Sequence, residues 1–221
     1  MSKQLWKSLL LAFSVLFLVS SAHGQTAKLQ PVDEAVKDPS FFAFRARLLK
    51  ALAKKDTTYL ISILDPQIRT DFGGGGGVAD FKKAWHLERP NSEIWSELTS
   101  VLALGGSFDN GAFAAPYVYS KFPDELDSYE YQAVIDEGVR VRREPNTSSA
   151  VIRTLSFDVV KVIPEPATET TTAKRQWLNV ELSDGQKGFI AKEYVRSPIG
   201  YRAIFEKRNG KWVLTALVAG D

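Results

Sequence analysis

Six short runs crowd into residues 129–195: YEYQAVI, VRVR, AVIRTL, DVVKVI, WLNVEL and KGFIAKEYV. Each is rich in β-branched or aromatic residues, and turn formers such as Pro145, Asn146, Asp184 and Gly185 lie between them. Runs this short, bounded by such residues, read as strands. Five or six strands in so little chain can bury an apolar side only by curling onto one another, which predicts a small all-β barrel. The intervening PEPATETTTAKRQ (164–176) has no apolar period and predicts a long exposed loop.

The chain before residue 116 has a different texture. Asp38 offers an N-cap and Pro39 a first-turn residue, followed by Phe41, Phe44, Leu48 and Leu52 at helical spacing. This predicts a helix over 41–54. Asp56 caps a second helix over 57–64, which Pro66 ends. Residues 67–72 read as a short strand. Val78, Phe81 and Trp85 form a third helical stripe, and Asn91 and Ser92 open a fourth helix carrying Ile94, Trp95, Leu98, Val101 and Leu102. Residues 25–37 are polar and are expected to be loosely ordered, while Tyr117-Val118-Tyr119 looks β-like.

At the far end, Arg208-Asn209-Gly210-Lys211 is a two-residue hairpin turn. Beyond it Trp212, Leu214, Ala216 and Val218 share one face, with Val213 and Leu217 on the other. A strand apolar on both faces belongs inside a covered sheet, so this hairpin is expected to return to the helical half. The expected fold class is α+β. One domain spans 38–128 plus 198–221, with the β unit of 129–197 inserted in it.

Residues 1–24 have a basic start (Lys3, Lys7), an apolar run over 9–19 and small residues at Ala22 and Gly24. This is the layout of a secretory signal peptide, and the run is too short to span a bilayer. The chain is therefore expected to be exported, to the periplasm or outside the cell, with no stable membrane insertion after cleavage. Removing Lys3 and Lys7 leaves 26 basic against 26 acidic side chains. That balance offers nucleic acid no electrostatic footprint. No cysteine is present, which excludes disulfides, thiolate metal sites and a cysteine nucleophile. The fold must rest on its apolar core.

Five consecutive glycines stand in DFGGGGGVADF (71–81). A phosphate loop needs Lys and Ser or Thr directly after its last glycine. Here Val78-Ala79-Asp80 follow, and Asp71 and Asp80 flank the run. The glycines are expected to be a tolerant loop ending at a helix start, indifferent to serine at Gly74, Gly75 and Gly76. His86 is the sole histidine outside the signal segment; with Trp85 it marks the one candidate pocket in the helical half. Asp124, Glu125, Asp127 and Glu130 lack the central glycine of a calcium loop. No metal site, cofactor or catalytic set is expected, and the protein is read as a non-enzyme.

Two resemblances add to this. GVRVRREPNTSSAVIRTL followed by WLNVELSDGQKGFIAKEYV resembles the bacterial SH3-like domain, through Pro145, Trp177, Asp184-Gly185, Gly188-Phe189-Ile190 and Tyr194-Val195. The resemblance implies a non-catalytic binding module of envelope proteins, its partner a cell-wall glycan or peptide or an envelope protein. It also implies a ligand-facing rim with Arg143, Asn146, Trp177 and Tyr194, although Trp177 suits the barrel core as well. The flanking parts resemble the nuclear transport factor two-like cone, through Lys55-Asp56, Leu64-Asp65-Pro66 and Gly210-Lys211-Trp212. Two other functions stay open: a small-molecule or enzymatic pocket at Trp85 and His86, and a purely structural role in protein–protein contact.

Overall fold

A computed structural model describes residues 27–164 and 176–220; the signal-like segment 1–24 and most of the loop 164–176 lie outside the described residues. Among the described residues the structure is mixed α+β, with five α-helices and two sheets.

Helix α1 (Pro39–Ala53) starts where Asp38 accepts from the backbone N–H groups of Ser40 (2.8 Å) and Phe41 (3.1 Å). Asp56 caps α2 (Thr57–Ser62) through the N–H of Tyr59 at 2.9 Å. Helices α3 (Gly77–Ala84) and α4 (Ile94–Ala103) follow β1 (Leu64–Arg69). Pro66 is tolerated inside β1 because this strand lies at the sheet edge, where one side needs no ladder donors.

The first sheet runs β1-β12-β11-β3-β2, with β2 (Ser107–Asp109), β3 (Ala112–Ala115), β11 (Arg202–Arg208) and β12 (Lys211–Val218). β1 joins β12 in parallel, and the other pairs are antiparallel. The terminal hairpin thus forms the middle of the sheet, between strands from the first half of the chain. One sheet face carries Ile68, Phe113, Ala203, Phe205, Trp212 and Leu214 against Phe41, Phe44, Leu48 and Leu98 of the helices. The Phe41 ring lies 4.2 Å from Phe113 and 4.9 Å from Trp212, centroid to centroid. The Trp212 indole N–H donates to Ser40 Oγ at 3.0 Å, which joins the helix start to the hairpin.

The second sheet contains β4 (Tyr131–Val134), β5 (Val139–Arg142), β6 (Val151–Leu155), β7 (Val159–Val162), β8 (Trp177–Glu181), β9 (Lys187–Ala191) and β10 (Val195–Arg196). Its order is β10-β4-β7-β8-β9-β5-β6. The expected barrel is corrected to an open sheet, since the end strands β10 and β6 do not pair. Curling still gives it a common core of Val134, Val141, Leu155, Val160, Val180 and Ile190.

Two local expectations change. Residues 27–37 are not loose. Leu29 is buried and donates its N–H to Phe157 O at 2.8 Å, and Lys28 pairs with the buried Asp158 at 2.8 Å. Farther along, Glu34 N–H reaches Gly106 O at 2.8 Å. This strap touches both sheets; widely spaced apolar residues (Leu29, Val32, Ala35) were enough to anchor a mostly polar segment. Tyr117-Val118-Tyr119 form not a strand but the short helix α5 (Tyr117–Ser120) after Pro116. Burial of Tyr117 and Val118 with Leu29, Ala133 and Val159 overrides their local β preference.

Candidate functional site

A groove of about 990 Å³ lies on the second sheet. Its walls come from β5, the turn after β5, the start of β8 and the 3-10 turn Lys192–Tyr194. The β5–β6 turn is built by its own polar groups. Asn146 Oδ1 accepts from Ser148 N–H at 3.1 Å and Ser148 Oγ–H at 2.8 Å. Glu144 N–H donates to Ser149 Oγ, and Arg142 Nη1 donates to Ser149 O at 2.7 Å. With its oxygen engaged in the turn, Asn146 has its amide NH2 to offer a ligand.

Trp177 sits opposite Ala191 in the β8–β9 ladder, and Lys192 N–H donates to Gln176 O at 2.9 Å. This pairing carries the chain from β9 into the turn that presents Tyr194, one of the more exposed large apolar residues. Of the four rim residues expected, Asn146, Trp177 and Tyr194 line the groove together and Arg143 does not. Arg140 and Arg142 line it instead, because side chains alternate along β5 and its turn. Trp177 is half-buried and lines the groove; it is not among the residues of the sheet core. The remaining charges are Asp136, Glu137, Lys192 and Glu193, so three cations face three anions. Flat rings beside balanced charge suit a polar ligand carrying both amine and carboxylate groups.

Gly188 sets how closely β9 can approach β5. A Cβ on Gly188 would stand 2.8 Å from Arg142 O and 2.6 Å from Ile152 Cδ1, so β9 can approach β5 there only without a side chain.

In the helical half, Trp85 and His86 have opposite surroundings, one buried and one exposed. Trp85 is buried against Phe81 and Tyr201, with ring centroids at 6.3 and 4.9 Å. His86 turns outward; its side chain is 54% exposed, and Nδ1 lies 3.5 Å from Glu88, which is also exposed. The glycine run borders a shallower hollow of about 480 Å³ with Arg69, Asp71 and Phe72. There Asp71 accepts from Gly75 N–H at 2.9 Å and Asp80 from Gly76 N–H at 3.1 Å. The two aspartates therefore cap the loop's own amides, the groups a phosphate would use.

Residues 131–196 thus form an antiparallel sheet with a solvent-open aromatic groove. Residues 137–196 match the family model of the bacterial SH3 domain, and the chain carries that domain. No curated protein matches the chain.

Proposed function

We propose that this is an exported, non-catalytic accessory protein of the cell envelope whose SH3 domain captures cell-wall peptide or glycan. The observation that carries this is the groove where Trp177, Tyr194 and Asn146 meet balanced charge within the matched segment. The signal-like N-terminus supports export. The helical half, 38–128 plus 198–221, is proposed as a cone-like scaffold with the SH3 unit of 129–197 inserted. Its support is the pairing of β11 and β12 with β1 and β3, across the intervening strands.

Co-sedimentation of the mature chain with purified peptidoglycan sacculi tests the proposal. The protein is expected in the pellet, and Trp177→Ala is expected to lower affinity by roughly 30-fold if the ring is a central anchor. Equal pelleting with and without sacculi, or a Trp177→Ala variant that pellets like wild type, refutes it.

A further inference from the structure

The sheet face opposite the helices carries an unusual arginine. Arg202, the first residue of β11, is 5% exposed. Its guanidinium carbon lies 5.0 Å from the Phe72 ring centroid and 4.8 Å from that of Tyr119. Arg69 stands on Phe72 as well, at 5.4 Å. Nη1 of Arg202 is buried and has no acceptor among the described residues. The carboxylates of neighbouring segments are engaged elsewhere: Glu206 with Arg208 and Thr215, Asp71 and Asp80 with glycine amides. On α5, beside Tyr119, the Ser120 hydroxyl is also buried without a partner.

Guanidinium does not lose its proton in a protein, so burial cannot be relieved by neutralisation. Ring contacts recover part of the lost hydration, but they satisfy no N–H. A guanidinium stacked on rings has its in-plane N–H groups left for an acceptor, and the planar fork fits a carboxylate. The two rings meanwhile supply an apolar wall for the rest of an organic acid.

Access is the remaining requirement. Phe72 is 42% exposed and is followed by Gly73, Gly74, Gly75, Gly76 and Gly77. Gly74 has positive φ, and the space beside it is open. No side chain on the glycines pins the phenyl ring in place.

We propose that Arg202, flanked by Phe72 and Tyr119, binds the carboxylate of a small organic acid, and that Phe72 is its movable cover on the glycine run. The glycines thereby serve to swing an aromatic ring instead of cradling phosphate.

The test is nuclear magnetic resonance of the 15N-labelled mature chain titrated with benzoate. Shifts are expected at the Arg202 Nε–Hε, Phe72 and glycine signals. Benzamide, the uncharged analogue, is expected to leave them in place, and inorganic phosphate to bind more weakly. Arg202→Lys keeps the charge, removes the fork and is expected to weaken benzoate at least about tenfold. Phe72→Ala removes one of the two rings on Arg202, keeps the guanidinium and Tyr119, and is expected to speed benzoate exchange while the Arg202 signal still responds. Equal response to benzoate and benzamide, phosphate as tight as benzoate, or unchanged affinity in folded Arg202→Lys overturns the site. Unchanged exchange in Phe72→Ala overturns the cover. Should Arg202→Lys not fold, the wild-type map and Phe72→Ala decide between these outcomes.

Discussion

Adding one methyl group at Gly188 probes the contact on which the SH3 groove depends. In Gly188→Ala the new carbon would lie 2.6 Å from Ile152 Cδ1, 2.8 Å from Val141 Cγ1 and 2.8 Å from Arg142 O. Carbon atoms prefer about 3.5–4.0 Å, so each neighbour must move by roughly an ångström. Ile152 can rotate away, but Arg142 O belongs to β5, where Arg142 pairs with Phe189 of β9. Such overpacking costs about 1–3 kcal/mol, and the stiffer unfolded chain returns about 0.4–1 kcal/mol. A net loss of about 1–2 kcal/mol is expected, or a Tm lower by roughly 2–8 °C in a chain of this size. Urea unfolding followed by circular dichroism measures it. Ile152→Ala in the same background frees the space in front of the methyl, so the double variant should lose less than the two single losses combined. Gly188→Ala as stable as wild type, or strict additivity with Ile152→Ala, refutes steric closure of β9 on β5.

Asp38 should confer pH-dependent stability. Hydrogen bonding from the Ser40 hydroxyl, then from Lys207, holds its carboxyl well below the ordinary 3.8. A depressed folded pKa means the contribution is full above the unfolded value and is lost as pH falls below it. Asp38→Ala is expected to cost about 1 kcal/mol at neutral pH, with the gap to wild type closing below about pH 4; a gap constant from pH 7 to 3 in urea titrations excludes the ionic cap. In the glycine run, serine is expected to be least tolerated at Gly74, where φ is +94°, and at Gly76, whose Cβ would meet Ile68 O at 3.0 Å. Gly74→Ser should cost on the order of 1 kcal/mol, and Gly75→Ser less, because only the flexible Asp71 carboxylate stands in the way. Melting temperatures equal to wild type in all three single variants would support the tolerant-loop expectation.

Much of the architecture is written locally in the sequence. Asp38 and Asp56 act as caps where their spacing places them, and the Asn209-Gly210 turn forms with both residues at positive φ. The same signal stands in SFDNGAFAA, where Asn110 and Gly111 also have positive φ and join β2 to β3. That hairpin escaped notice because Ala112, Ala114 and Ala115 carry little β propensity. Outside residues 107–120 the order of helix and strand was readable; sheet closure was not, since it depends on whether β6 and β10 meet, a distance no local pattern encodes. At the groove, Asn146, Trp177 and Tyr194 were implied by the SH3-like resemblance, and all three line it. The choice of Arg142 over Arg143 follows from alternation along β5, where Val139 and Val141 are buried and Arg140 and Arg142 line the groove. Arg202 left no mark at all, because its burial arises from Phe72 and Tyr119, distant in the chain.

The order of strands in the first sheet also sets a timetable for synthesis. β3 ends at Ala115, whereas β11 and β12, which fill the middle of that sheet, end at Val218. At about 5–20 residues per second, roughly 5–20 s separate the two events on the ribosome. Over that interval Phe41 and Phe113 lack Phe205 and Trp212, and β1 and β3 have no strand between them. Every strand of the second sheet emerges before β11. A chain released near residue 200 would therefore contain all seven strands of that sheet but three of the five in the first. Completion of the first sheet turns on residues 202–218.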